Sequence, residues 1–140
     1  METRDIVSLI SKIREKVNRH IVSEMAKQGM EEIGTSHGDI LYALFKTPRL
    51  TMADISRRIN KDKSTVTALV DKLVRLGYLT KERDQEDARV VYVALTPKGS
   101  ELEPIFESIS REMLDRFYAN VTDEERELLF GALTKIYNNF

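Results

Sequence analysis

The stretch TMADISRRINKDKSTVTALVDKLVRLGYLTKERDQEDARVVYVALT, Thr51 to Thr96, reads as a short helix, a tight turn, a longer helix and a β-hairpin. Thr51 followed by Asp54 has the spacing of a capping box, in which each side chain accepts a hydrogen bond from the other's backbone N–H. It opens the helix TMADISRRI. Asn60 breaks that pattern, and Asp62 is a good N-cap for the next helix, KSTVTALVDKLVRLG. In that helix Val66, Leu69, Val70, Leu73 and Val74 share an inward face, and Lys63, Ser64, Thr67, Asp71 and Lys72 an outward one. Gly77 is placed to end it. Tyr78–Glu82 and Val90–Leu95 are rich in strand formers, and the charged run between them makes the hairpin tip.

A short helix, a turn and a longer helix describe a helix-turn-helix, whose second helix enters the DNA major groove and presents its first residues to base edges. Lys63, Ser64, Thr65 and Thr67 suit that task. Lysine donates to guanine acceptors, hydroxyls donate or accept, and a threonine methyl touches a thymine methyl. Lys61, in the turn, adds a cation beside them. On this helix alone a second reading stands equally: small hydroxyl residues also improve a helix's first turn. The hairpin favours the first reading, because a hairpin directly after such a helix is a wing, and this one carries Arg83 and Arg89. The minor groove, about 6 Å wide, excludes a helix and admits an arginine side chain. Asp84, Glu86 and Asp87 repel phosphate, yet a carboxylate two residues before Arg89 can hold its guanidinium by a charge-assisted hydrogen bond. The alternative is a solvated hairpin tip.

Working outward, Ile6, Leu9, Ile10, Ile13, Val17, Ile21 and Met25 recur at helical spacing and predict a first helix over about residues 5–27. Gly29 and Gly34 bracket its exit. Ser36 with Asp39 has capping-box spacing and opens a second helix that Pro48 stops. Beyond the hairpin, Thr96-Pro97 supplies N-cap and first helical residue for a fifth helix striped by Leu102, Ile105, Phe106, Ile109, Met113 and Phe117. Pro104 inside that helix predicts a kink. Thr122 with Glu125 caps a last helix. The reading is mainly α with one small hairpin, in the order α-α-α-α-β-β-α-α. Residues 1–140 form a single domain: 35–96 the winged helix-turn-helix, 1–30 and 97–140 a helical dimerisation part.

Composition bounds the function. A formal charge of −1, with 32% charged and 41% hydrophobic residues, is a globular balance far from that of a disordered chain. From Arg57 to Arg83 eight bases face three acids, a local +5; from Glu101 to Glu127 nine acids face three arginines, a local −6. A basic middle points to an anionic partner, against the plainer reading of a solvated helix face. Without cysteine there are no disulfides, thiolate zinc sites or thiol redox sensing. Two histidines with no nearby ligand spacing make a metal site unexpected, and no cofactor motif is present. No apolar run approaches the ~18 residues of a membrane span, and the N-terminus is unlike a signal peptide, so no membrane partner is expected and the cytoplasm is the expected compartment. No nucleophile elbow, phosphate-binding glycine loop or acid–base pair supports an enzyme.

The run LTMADISRRINKDKSTVTALVDKLVRLGYLTKERDQEDARVVYVALTPKGSEL resembles the MarR family of transcription regulators, most specifically in Asp87-Ala88-Arg89 followed by VALTPKG. The resemblance implies that Asp87 orients Arg89 into the minor groove, while Lys63, Ser64 and Thr65 approach bases in the major groove. It also implies a homodimer on a palindromic operator in double-stranded DNA. The terminal helices support the dimer independently, carrying more apolar surface than one winged helix covers. Family members commonly take small aromatic or anionic effectors between the dimer helices and the DNA-binding part; His20, Met25, His37 and Tyr42 are the candidates here. The chain departs from the pattern at Ala88, where many relatives have a polar or basic residue, and at Pro104. A ligand-responsive repressor is the expected function. The alternative is a winged-helix module for protein contacts without specific DNA binding, told apart by the absence of a steep salt dependence with duplex DNA.

Overall fold

The computed structural model describes residues 2–140. In chain order the elements are α1 (Thr3–Lys27), α2 (Thr35–Lys46), β1 (Arg49–Thr51), α3 (Met52–Ile59), α4 (Lys63–Arg75), β2 (Leu79–Arg83), β3 (Val91–Leu95), α5 (Pro97–Ser100), α6 (Glu103–Phe117) and α7 (Asp123–Asn138). The result is a mainly helical fold around a small antiparallel sheet ordered β1-β3-β2.

The local signals act where they were read. Thr51 and Asp54 exchange hydrogen bonds of 3.0 and 3.1 Å to open α3, and Thr122 and Glu125 do the same at α7 with bonds of 3.1 Å. Asn60 ends α3 in the left-handed conformation at φ 54°, which asparagine tolerates better than most residues. Asp62 then accepts from the Thr65 N–H at 2.7 Å and starts α4. Gly77, at φ +86°, turns the chain from α4 into the hairpin.

Three expectations are corrected. The sheet has a third strand: β1 pairs with β3, setting Arg49, Leu50 and Thr51 opposite Ala94, Val93 and Tyr92. A three-residue strand has no periodicity to betray it and exists only because β3 is there to pair with. The fifth helix is broken rather than kinked. Its first turn is α5, and α6 starts afresh with Pro104 in its first turn, where the missing N–H costs nothing. Finally, α2 begins one residue early, at Thr35, with Gly34 as N-cap. The Gly34 N–H donates to His37 Nδ1 at 3.0 Å, so His37 does the work expected of Ser36 and Asp39.

The core lies between α2, α3, α4 and the sheet. Ile40, Leu41, Ile55, Val66, Val70, Leu73 and Val93 are fully buried there, each contributing roughly 1.5–3 kcal/mol of transfer free energy. The terminal helices contrast sharply with this: Met25 is the only buried residue of α1, Ile109 the only one of α6, and α7 has none. No helix among the described residues is long and apolar enough to cross a membrane.

Candidate nucleic-acid interface

The exposed side of α4 begins with Lys63, Ser64 and Thr65, followed by Ala68 one turn on; Lys61 is exposed just before it. Asp62 organises this end. Its carboxylate accepts from the Thr65 N–H and the Ser64 hydroxyl, and those bonds hold its pKa below the ordinary value. Thr67 is half-buried and donates its hydroxyl to the Lys63 carbonyl at 2.8 Å. The donors of Ser64 and Thr67 are therefore engaged within the helix, leaving both oxygens as acceptors. Lys61, Lys63 and Thr65 keep free side-chain donors: none makes a side-chain hydrogen bond or ion pair among the described residues. Ala68 adds a small exposed methyl four residues after Ser64 on the same face, a position that helical spacing marks and side-chain polarity does not.

Asp71 lies on that same face, a carboxylate ill-suited to meeting phosphate. Lys81 of β2 covers it with a 2.6 Å ion pair. This contact also lays the first wing strand beside the exposed side of α4. Nothing in the sequence joins residues ten apart across a turn.

In the wing, β2 and β3 pair from Leu79↔Leu95 to Arg83↔Val91. The tip is closed by Asp84 N–H to the Val90 carbonyl at 2.9 Å and Val90 N–H to the Asp87 carbonyl at 3.0 Å. Arg83 does not extend outward: its guanidinium donates to the Ala88 carbonyl and locks the loop. Arg89 does extend, with 91% of its side chain exposed. Asp87 grips it at both ends, Nε to Oδ1 at 3.0 Å and Nη2 to Oδ2 at 3.2 Å, and also accepts the Arg89 backbone N–H at 3.0 Å. The Arg89 bonds hold the Asp87 pKa below its ordinary value. The two wing arginines thus differ in kind. One is a latch and the other a preset cation.

The hairpin base is fastened to the far end of α4 by Thr96, Lys98 and Gly99. The Thr96 hydroxyl accepts from the Gly99 N–H at 3.0 Å and donates to the Gly77 carbonyl at 2.6 Å. Lys98 Nζ donates to the Leu76 carbonyl at 2.8 Å, a cation at a helix C-terminus. A Cβ on Gly99 would stand 2.2 Å from the Tyr78 carbonyl oxygen. Glycine is required there by contact rather than by backbone angle.

The four effector candidates separate. Met25 and Tyr42 line a cavity of about 300 Å³ between α1, α2 and α6, together with Asp39, Phe106 and Ser110. His20 lies instead in a groove of about 740 Å³ between α1 and α6, with Lys16, Arg19 and Arg116; its Nδ1 is 3.5 Å from an Arg116 nitrogen and its Nε2 has no partner among the described residues. His37 lines neither, being committed to the α2 cap. Burial, with Lys72 nearby, pushes its pKa down and so preserves the neutral ring that accepting at Nδ1 requires.

Comparison with known proteins agrees with this geometry. Residues 32–90 match the model described as "MarR family". The chain is similar to the HTH-type transcriptional repressor YetL of Bacillus subtilis, 30% identical over 132 residues, covering 89% of this chain and 74% of that one. Its matches to three other curated regulators span 65%, 67% and 62% of their lengths. Among solved structures, a MarR transcriptional regulator from Methanosarcina mazei Go1 superposes with a TM-score of 0.83 at 26% identity, over 98% of this chain and 96% of that one. MepR of S. aureus, solved in complex with DNA, superposes at 0.88 with 24% identity, over 96% and 97%; at that identity it speaks for the fold. The winged helix-turn-helix read from Thr51–Thr96 and these matches assign the chain to the MarR family of transcriptional regulators, which are not enzymes.

Proposed function

We propose that the protein binds double-stranded DNA as a homodimer and controls transcription, acting as a ligand-responsive repressor on a palindromic operator. The observation that carries this is the braced Arg89 beside the open N-terminal face of α4. A solvated tip has no use for an exposed guanidinium held by two bonds to one carboxylate. On the operator α4 occupies the major groove with Lys61, Lys63, Ser64, Thr65 and Thr67, and Arg89 enters the adjacent minor groove. Arg83 supports the loop. In this reading residues 35–96 form the DNA-binding part, and the cytoplasm is the compartment proposed for it.

The dimer rests on uncovered apolar surface. Ile6, Leu9, Ile10 and Ile13 on α1 and Leu129, Leu133 and Ile136 on α7 are 39–46% exposed and fall at helical spacing. Stripes of this size mark an interface, and a two-fold pair sets recognition helices about one DNA turn, ~34 Å, apart. The repressor sense is suggested by the relative YetL. The effector is placed in the α1/α2/α6 cavity, where it can favour one spacing of the recognition helices over another; it acts only through its different affinities for the two.

Salt titrations on an operator and a scrambled duplex test the DNA reading. Arg89→Ala weakens binding and lowers the salt slope by ~0.9 for each phosphate neutralisation lost. Asp87→Ala separates the brace from plain electrostatics. Loss of a negative charge alone tightens binding, whereas a freed Arg89 must lose side-chain entropy on docking and binds more weakly. Tighter binding by Asp87→Ala refutes the brace, and sedimentation as a monomer at micromolar concentration refutes the dimer.

A further inference from the structure

We propose that α4 selects A·T pairs in the major groove, with the Ser64 oxygen accepting from an adenine amino group and the Ala68 methyl packing on a thymine methyl. This deepens the DNA-binding function above and rests on it; what it adds is which bases the operator carries beneath α4.

Helical spacing sorts the exposed residues of α4 into a middle line and two flanks. Val66, Val70 and Leu73 are its buried side. Ser64, Ala68 and Asp71 fall opposite them, with Ser64 and Ala68 exposed. Lys61, Thr65 and Lys72 lie along one flank of that line, and Lys63 and Thr67 along the other. A helix seated in the groove turns its middle line to the base edges and its flanks to the two bordering strands. Lys61 and Lys63 are thereby placed for phosphate, and Ser64 and Ala68 for bases.

Bonds within the helix fix what the middle line offers. The Ser64 hydroxyl lies 3.1 Å from Asp62 Oδ1. An ionised carboxylate has no hydrogen to give, so Ser64 donates in that bond and its oxygen is left as an acceptor. Asp62 is itself held, because the same Oδ1 accepts the Thr65 N–H at 2.7 Å, and these bonds favour its ionised form. Turning the Ser64 hydrogen toward a base breaks a charge-assisted bond. Asp71, further along the line, is paired with Lys81. In the major groove adenine and cytosine present amino donors, whereas guanine presents two acceptors that repel such an oxygen. Ala68 decides between the first two. Its methyl suits the thymine methyl, and only an A·T pair carries an amino donor and a methyl on one edge. Ser64 and Ala68 are separated by about 6 Å of helix rise, which spans neighbouring base pairs at ~3.4 Å spacing.

The test is selection from a random duplex library with the parent and with Ser64→Ala, followed by binding of the selected duplex carrying base analogues. Ser64→Ala keeps the Asp62 cap and puts a better helix former at an exposed position, so it folds. The parent enriches A·T at the half-site position whose preference Ser64→Ala loses. Replacing that adenine by 2-aminopurine moves its amino group out of the major groove and keeps the pairing with thymine. The parent then binds about fivefold more weakly, for one hydrogen bond lost, and Ser64→Ala by less than about twofold. Uracil in place of the neighbouring thymine deletes only the methyl, costing the parent about fourfold and Ala68→Gly less than about twofold. The proposal is overturned if the position that Ser64→Ala relaxes carries G·C, if no position relaxes, or if the aminopurine costs parent and Ser64→Ala alike. Equal uracil losses in parent and Ala68→Gly overturn the methyl contact. Failure of the DNA-binding function shows differently, as enrichment of no duplex at all.

Discussion

Gly99→Ala tests how the wing is joined to the recognition helix. In a helical residue this change ordinarily stabilises by about 0.5–1 kcal/mol, because alanine has less backbone freedom to lose. At Gly99 the new methyl would stand 2.2 Å from the Tyr78 carbonyl oxygen and 3.1 Å from Leu95 Cδ2. The closest ordinary carbon–oxygen contact is roughly 3.3 Å, so about 1 Å of movement is forced between α5 and the chain leaving α4. Overpacking of this kind costs about 1–3 kcal/mol. The Tyr78 carbonyl also accepts the Thr96 N–H at 3.0 Å, and weakening that bond costs up to about 1 kcal/mol more. The clash wins, and the net is a destabilisation of about 1–3 kcal/mol. Gly131→Ala is the internal control: it lies mid-helix in α7 with nothing within 4 Å of its Cβ, faces away from the Leu129–Leu133–Ile136 stripe, and should stabilise by about 0.5–1 kcal/mol. Urea unfolding at one fixed protein concentration, needed because a dimer's stability depends on it, measures both. Gly99→Ala should also lose operator affinity under conditions where it is fully folded, since the end of α4 is what moves. If Gly99→Ala matches the parent or gains stability alongside Gly131→Ala, the close approach of α5 to Tyr78 is not a constraint and the reasoning fails.

Leu73→Ala removes a fully buried side chain of α4 and should destabilise by about 2–5 kcal/mol in the same urea assay; a smaller loss would mean that the α2/α4 core collapses into the space. Lys81→Ala uncovers Asp71 and should weaken operator binding, with Asp71→Ala in the same chain restoring part of the loss; strictly additive effects would show that the pair plays no part at the interface. For His37 the folded pKa lies below the ordinary 6.5, so the unfolded chain takes up its proton first. Stability from the neutral ring is present above pH 6.5 and is lost as pH falls through the lower folded value. Urea midpoints should therefore drop between pH 7.5 and the acid side more steeply for the parent than for His37→Asn, and parallel curves would exclude the His37 cap as the titrating element.

The features legible in the sequence are those whose partners lie within four residues. The Thr51/Asp54 and Thr122/Glu125 boxes, the Asp62 cap, the Asn60 turn and the Asp87–Arg89 grip all close over two to four residues. Their hydrogen bonds are satisfied by local backbone geometry whatever the rest of the chain does, so residue type and spacing specify them. The apolar stripes of α1 and α7 are legible for a related reason, since periodicity reports which face is buried. It does not report against what, and in this chain both stripes are left open. Where two local solutions compete, type and spacing do not rank them: Ser36/Asp39 matched the capping pattern, but His37 reached the Gly34 N–H. Tertiary structure alone decided the rest. β1 exists through pairing with β3 more than forty residues later, and Arg83 became a latch because hairpin register set it near the Ala88 carbonyl. Lys81 reached Asp71 because β2 folds back along α4. Asp39 came to edge an apolar cavity because α1 and α6, distant in sequence, close its other walls. Each is a contact between segments whose separation in space depends on packing the whole core, and no local pattern encodes that separation.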